Sequence, residues 1–490
     1  MTDAELKRPS RRRFLRALGA GATALACGEW AAGETETPPR RPNFVLLLSD
    51  DQGWNGLSVA MDPAVKGSRS DWHQTPSLER LAREGMRFGR AYAPSPVCAP
   101  TRYSLQTGKG PAALHMTKAA PAFTAEDGFP LIPPQHVREI ADSETTVAEL
   151  LRRVGYATAH YGKWHLRGGG PGRHGYDEHD GDTGNQDAER FGGDNPVDLF
   201  GMTGRACAFA SRQAAAGRPF LVQMSYHALH YAQQARKATR EKYRALRPDA
   251  AQRDVEIAAM TEDLDTAVGR LMGHLDRLGI ARSTYVVYLS DNGAGGQGAG
   301  SPLAGGKGRL LEGGIRVPMI VRGPGVPAGA VCRVPVVGFD LLPTFCELAG
   351  VGRLPDGVEG GSLTPLFADP QAGQVTRRRK EIVFHFPHYQ GRGAGPQSAI
   401  LLGPYKLLHY YEDDRVLLFD LSKDLSEQRD LAAAMPAKAA ELKAALAAYL
   451  AAVGAQMPTP NPRYDPSKAR QDRRQGGQKR PIGSGAASRP

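Results

Sequence analysis

Two uninterrupted apolar runs of equal length constrain this 490-residue chain more than any other feature. They are Asn43-Phe44-Val45-Leu46-Leu47-Leu48-Ser49 and Thr284-Tyr285-Val286-Val287-Tyr288-Leu289-Ser290. Neither alternates apolar with polar residues, so each reads as a strand buried on both faces, as in a parallel sheet covered by helices on two sides. Both are far shorter than the ~20 residues that cross a bilayer. Further strands are expected at 156–161, 220–225 and 317–321. Helices are expected from Thr75-Pro76 to Gly85, over 146–154 before Gly155, over about 255–278, and over 341–348 before Gly350. Strands alternating with helices predict an α/β fold with a large, mostly parallel sheet sandwiched by helices. Beyond about residue 375 the texture changes. Ile382-Val383-Phe384, Ser398 to Leu402, Tyr405 to Tyr411 and Arg415 to Asp420 predict a smaller antiparallel sheet, and an Ala-rich helix follows from about Pro436 to Val453. The chain thus divides into an N-terminal segment and linker (1–41), a large α/β domain (42–374), a small C-terminal α+β subdomain (375–457) and a basic, disordered tail (458–490).

The net charge of +11 points first to an acidic partner, but its distribution does not. Residues 1–41 hold eight basic and five acidic side chains, and residues 463–490 hold eight and two, which leaves about +2 for the rest. A basic patch on the folded body, and with it nucleic-acid binding, is not implied. Five cysteines, at 27, 98, 207, 332 and 346, form neither a disulfide framework nor a CxxC zinc pair. At the N-terminus, Ser10-Arg11-Arg12-Arg13-Phe14-Leu15-Arg16 precedes a weakly apolar stretch from Ala17 to Ala26. It resembles the bacterial twin-arginine signal and predicts export by the twin-arginine translocase to the periplasm or beyond. Ala24-Leu25-Ala26 offers a cleavage site, and Cys27 faintly resembles a lipid-anchor acceptor.

The two apolar runs end alike, in Ser49-Asp50-Asp51-Gln52-Gly53 and Ser290-Asp291-Asn292-Gly293. Ligands of open α/β sheets sit beyond the carboxyl ends of the strands. Three carboxylates and an amide converging there would repel one another unless a cation joined them, and all-oxygen donors favour calcium or magnesium over zinc. Either segment alone also reads as a strand ending in a polar turn. Cys98-Ala99-Pro100-Thr101-Arg102 is followed by helical text to Gln106, then Gly108, which places Cys98 at a helix N-terminus, where anions are favoured.

This Cys-x-Pro-x-Arg string resembles the signature of the type I sulfatases of the alkaline phosphatase superfamily. Gly162-Lys163-Trp164-His165, His230 within Tyr226-His227-Ala228-Leu229-His230, and Gly306-Lys307-Gly308 leading to Glu312-Gly313-Gly314-Ile315-Arg316-Val317-Pro318 match the family's other segments in order, over roughly 42–350. Leu229 and Ala232 stand where the family's histidine segment has prolines, which keeps His227 open as an alternative to His230. The resemblance implies an alkaline-phosphatase-like fold and hydrolysis of sulfate monoesters. It implies that a formylglycine-generating enzyme converts Cys98 to formylglycine, and that one calcium is held by Asp50, Asp51, Asp291 and Asn292 with the modified Cys98. Lys163 and Lys307 then hold sulfate oxygens, Arg102 bonds the modified residue and shields the carboxylates, His230 or Lys307 protonates the departing alcohol, and His165 takes the proton that frees sulfate. Two rivals stand beside this reading: a phosphomonoesterase or phosphodiesterase of the same superfamily, and a non-catalytic protein that binds sulfated glycans. Recognition of a sulfated carbohydrate falls to outer segments, with Asp182 and Asn185 in the stretch 173–185 and His388 in His385-Phe386-Pro387-His388-Tyr389. The first stretch also reads as a solvated loop and the second as an interdomain packing face.

Overall fold

The computed structural model describes residues 41–469 apart from 122–124, 231–232, 296–300 and 391–394. Asn43–Ser49 and Thr284–Ser290 form the expected strands and lie side by side, parallel, at the centre of an eight-stranded sheet. Phe220–Ser225, Ala157–Gly162 and Glu178–His179 extend it on one side, all parallel. On the other side Met319–Arg322 runs antiparallel to both its neighbours, Thr284–Ser290 and Met86–Phe88, and Ala330–Cys332 closes the edge. The sheet is therefore mostly parallel, as expected, and among the described residues Met319–Arg322 is its one strand of opposite direction.

The unbroken apolar runs are explained by two cores. Val45 and Leu47 face the layer holding Leu199–Ala215 and Gln252–Arg277, while Phe44, Leu46 and Leu48 face the layer holding Cys98–Thr107, Val147–Arg153 and Leu341–Ala349. Thr146 builds the capping box expected of a Thr-x-x-Glu start, with Glu149 answering its backbone. Pro76–Glu84 begins where Thr75-Pro76 places it, but Thr75 does not cap it. Its hydroxyl meets Ser58, and the carboxylate of Asp265, from the long helix, accepts from the backbone N–H groups of Ser77 and Leu78 at 2.9 and 2.8 Å.

Ile382–Phe386, Gln397–Leu402, Tyr405–Tyr410 and Val416–Asp420 form the small antiparallel sheet in chain order. Phe384 and Phe386 face Tyr92 and Phe339 of the main body, and Val383, Ile400 and Leu407 face the helix Pro436–Ala452. At the junction Lys406 lies between Glu312 and Glu427, at 3.0 and 2.9 Å, all three buried. The first residues of the stretch expected as a tail, 458–490, are tied to the body. Thr459–Pro460 pairs with Leu131–Ile132, and the Asn461 amide donates to the carbonyls of Glu126 and Phe129, so tertiary hydrogen bonds override the polar, Pro-rich composition there. Residues 1–40 and 470–490, with the export signal, Cys27 and most of the basic tail, lie outside the described residues. Among the described residues no helix is long and apolar enough to cross a membrane.

Candidate active site

The register of the two central strands brings the acidic segments together. Ser49 is the partner of Ser290, so Asp50-Asp51 and Asp291-Asn292 leave the sheet edge side by side. The Asp291 N–H donates to the Ser49 carbonyl at 3.0 Å and the Asp51 N–H to Asp291 Oδ1 at 3.2 Å. Asp50, Asp291 and Asn292 are fully buried. Asp51 adopts φ 60°, a left-handed conformation that costs a residue with a Cβ and gathers at functional sites. Gly293 beside it could carry no side chain, because a Cβ would strike the Gly313 carbonyl.

Cys98 is the first residue of Cys98–Thr107, which Gly108 ends in the left-handed conformation. Burial raises the Cys98 thiol against the opposing pull of Lys163 and Lys307, so the unmodified thiol keeps its proton at neutral pH. One turn on, the buried Arg102 guanidinium donates through Nε and Nη2 to Asp291 Oδ2 at 3.0 and 2.7 Å. Nη2 also reaches Asp50 Oδ2 at 3.3 Å, and Nη1 reaches the Lys163 carbonyl at 2.6 Å. Lys163 Nζ pairs with the same Asp50 oxygen. Burial works to raise the Asp50 carboxyl, but Lys163 and Arg102 outweigh it and hold the group well below the usual range. Asp291 is pushed up to about 6, by burial and by the charge of Asp50.

Lys307 Nζ lies 2.6 and 2.8 Å from the two oxygens of Asp51, and Asn292 Nδ2 donates to Asp51 Oδ1 at 2.7 Å. His230 Nε2 is 4.0 Å from Asp51 Oδ2, and burial lowers its pKa. His230, not His227, gathers with Asp50 and Asp51. His227 borders a separate 230 Å³ cavity with Asp180 and Arg205. Of the prolines missing from the histidine segment, Leu229 is described and Ala232 lies outside the described residues.

His165 also adopts φ 60°. Burial and the charges of Lys163 and Arg102 push it to about 2, so its imidazole stays neutral. The segment from Gly162 to His165 is pinned by a residue that sequence reasoning did not single out. Thr183 Oγ1 donates to the Gly162 carbonyl at 2.5 Å and accepts from the Trp164 N–H at 3.0 Å, while the Thr183 carbonyl accepts from the His165 N–H at 2.7 Å. Gly162 itself, at φ 90°, packs where a Cβ would strike the Ser225 carbonyl. Only the location of Thr183 inside the polar stretch after Gly162-Lys163-Trp164-His165 hinted at such a role.

The arrangement suits a hard cation. Asp50, Asp51 and His230 offer donor atoms within 4.8 Å of one another. Asp50 Oδ1 and Asn292 Oδ1 are buried oxygens without a hydrogen-bond partner among the described residues. This grouping includes His230 and omits Asp291, whose Oδ2 is engaged by Arg102.

The residues expected to read substrate are not gathered in one place. Asp182 and Asn185 line an open cleft of 790 Å³ that His165 also borders. His388 does not reach it. It is fully buried, its Nε2 is 2.7 Å from Thr117 Oγ1, and its ring meets His136 edge-on at 5.4 Å. His385 is held the same way, between Ser398 Oγ and the Gln456 carbonyl. This histidine string packs the small sheet against the body, the alternative that its aromatic character left open.

Comparison with known proteins agrees with this geometry. Residues 42–351 match the sulfatase family, and residues 306–456 match the C-terminal region of N-sulphoglucosamine sulphohydrolase. N-acetylgalactosamine-6-sulfatase of Sus scrofa is 33% identical over 415 residues, covering 75% of this chain and 72% of its own. Arylsulfatase A of Homo sapiens is 28% identical, covering 80% and 83%. The solved structure of Ps i-CgsB in complex with k-i-k-neocarrahexaose shares the fold, with a TM-score of 0.69 at 24% identity over 84% of this chain and 93% of that one. The chain belongs to the sulfatase family of the alkaline phosphatase superfamily, and it is a sulfuric ester hydrolase.

Proposed function

We propose that the protein removes sulfate from sulfated carbohydrates, with Cys98 as the site of the nucleophile and calcium as the resident ion. The observation that carries this reading is the placement of Cys98 at a helix N-terminus, under the charges of Lys163, Lys307, Asp50 and Asp291. The carbohydrate part rests on the Sus scrofa relative, whose name states a sulfated N-acetylgalactosamine as its substrate, and on the polar cleft beside His165.

Asp50, Asp51, Asp291 and Asn292 would hold calcium, with the modified Cys98, and the oxygens of Asp50 and Asn292 that have no hydrogen-bond partner among the described residues support that set. Bound there, calcium supplies positive charge to a sulfate oxygen, and formylglycine at Cys98 supplies a hydrated aldehyde that can attack sulfur and later release sulfate. This chain's own residues do the rest. Lys163 and Lys307 neutralise the sulfate oxygens as charge builds. Arg102 fixes the helix start against both acidic segments. His165, neutral and with a buried Nδ1 that has no hydrogen-bond partner among the described residues, would take the proton that frees sulfate. His230 or Lys307 delivers a proton to the departing alcohol.

Production with a formylglycine-generating enzyme tests this reading. Peptide mass spectrometry should find the aldehyde or its hydrate at Cys98, and Cys98→Ala should abolish turnover while keeping the fold. Full activity from protein with only unmodified Cys98, or two stoichiometric zinc ions, would shift the reading to the phosphatase rival. Export by the twin-arginine translocase is part of the proposal. It predicts that changing Arg11 and Arg12 to Lys traps the precursor in the cell, and undiminished export would remove that part alone.

A further inference from the structure

A smaller cavity, of 150 Å³, opens beside the reacting centre between Ala99, which follows Cys98, and His165. Lys118, His136, Arg138 and Arg167 supply its charged and titratable wall along with His165, and no carboxylate is among its described lining residues. The acidic side chains nearby, Glu139, Asp182 and Asp187, border the adjoining larger cleft instead. Lys118 is only 8% exposed and donates to the Tyr389 carbonyl at 3.2 Å. Burial lowers its pKa, and Lys118 and Arg138 in turn add to burial in lowering that of His136. Lys118, Arg138 and Arg167 thus converge on one small cavity beside the reacting centre, an arrangement suited to holding an anion.

We propose that this pocket receives a second anionic group of the substrate, a sulfate or a carboxylate carried near the ester that is cleaved. The inference rests on the sugar-sulfate reading above and deepens it: the preferred substrate carries at least two negative charges. The cavity is about half the volume of the smallest usual small-molecule pockets, ~300 Å³. It therefore fits one oxyanion rather than a further ring with its substituents. Arg138 and Arg167 present planar forks suited to either anion, and Lys118 presents a point charge from the floor. An anion held here adds binding away from the reacting bond and aligns the ester for attack.

The experiment compares three sugar probes with an aryl sulfate, using the modified, calcium-loaded enzyme. The first probe is a neutral sugar bearing one sulfate, the second bears an additional sulfate, and the third is joined to a uronate. Wild type should favour the second or the third over the first, and the one favoured names the anion. Arg138→Gln and Lys118→Met should each raise KM for the favoured probe about tenfold, with kcat and aryl-sulfate turnover within twofold. If Lys118→Met fails to fold, the variant at the exposed Arg138 still decides the test. Equal losses on the singly charged probe, or no wild-type preference for a second anion, would overturn the pocket's role. If aryl sulfate turns over and no sugar sulfate does, the carbohydrate reading fails. Calorimetry of the Cys98→Ala protein then decides the pocket separately, because equal Kd values for singly and doubly charged sugars would rule it out.

Discussion

Arg102 donates through two nitrogens to one oxygen of Asp291, at 3.0 and 2.7 Å, and joins in a single fork the helix that starts at Cys98, both acidic strand ends and the Lys163 carbonyl. The pair is buried, so its loss does not simply return two groups to water. Removing one partner of such a pair typically costs about 3–5 kcal/mol, since the other charge stays buried and uncompensated. Arg102→Met should therefore lower stability by an amount of that order and lose turnover. Arg102→Lys should recover only part of either, because a point charge cannot replace the planar fork. Denaturant unfolding and kcat/KM measured on the same samples check this, and a lysine variant as stable and active as wild type would contradict it.

Metal removal should act on the fold and on catalysis together. Asp50 Oδ1 and Asn292 Oδ1 are buried without a partner among the described residues, and a bound cation would satisfy both. Chelation should lower Tm and abolish turnover, and calcium should restore both. A ligand at 100 times its Kd stabilises the fold by about 2.7 kcal/mol, so the Tm shift should grow with calcium concentration. Asp50→Asn should flatten that dependence. A Tm indifferent to calcium in wild type would count against an ion at this position.

Outside the candidate site, Asp265 gives a prediction with a definite sign in pH. Burial pushes its carboxyl up to about 6, against the pull of the Ser77 and Leu78 N–H groups, from an ordinary value of 3.8. The folded chain therefore holds this proton more tightly than the unfolded chain. The stability linked to that proton is complete below about pH 4, falls as pH rises towards 6, and is level above. Asp265→Asn has no such titration. The wild-type stability minus that of the variant should decrease across this window, by up to about 3 kcal/mol. A difference that rises or stays flat between pH 4 and 6.5 would be inconsistent with a buried, proton-retaining Asp265. Turnover should be unaffected in the variant.

The sequence was most legible where a local pattern decides the outcome. Asn43–Ser49 and Thr284–Ser290 read to the residue because burial on both faces demands an unbroken apolar run. The acidic ends were legible because such strands place them at the same edge of a sheet. What could not be read depends on partners distant in the chain. Val317 to Val321 looks like any buried strand, and nothing local says that Met319–Arg322 runs antiparallel to its neighbours. Thr75-Pro76 marks the start of its helix, yet the capping carboxylate comes from Asp265, 188 positions from Ser77. Lys118, His136 and Arg138 belong to no motif, and they share a wall with Arg167 only through the tertiary fold. The same applies to His388. A histidine in an aromatic string suits a sugar site or a packing face equally well, and its Thr117 partner, 271 positions away, is what separates the two.

That separation makes the roles of Asp182 and His388 measurably different. Asp182 lines the open cleft that His165 borders, so it can meet a sugar without touching sulfate. Hydroxyls paired by such a residue are discriminated strongly, because an analogue lacking them leaves the protein group unpaired. Asp182→Ala should depress kcat/KM for the sugar sulfate at least tenfold while leaving an aryl sulfate within about twofold. His388 is buried behind His136, bonded to Thr117 and packed edge-on against Phe386 at 5.6 Å. His388→Ala should instead lower Tm, by removing a buried ring and leaving the Thr117 hydroxyl without this partner, at a cost of about 2–4 kcal/mol. Its effect on catalysis should reach the substrate only through His136, so any KM change should appear with doubly charged sugars and not with an aryl sulfate. A selective loss of singly charged sugar turnover in His388→Ala, with Tm unchanged, would return this residue to direct contact with substrate. Equal losses on sugar and aryl substrates in Asp182→Ala would remove that residue from recognition.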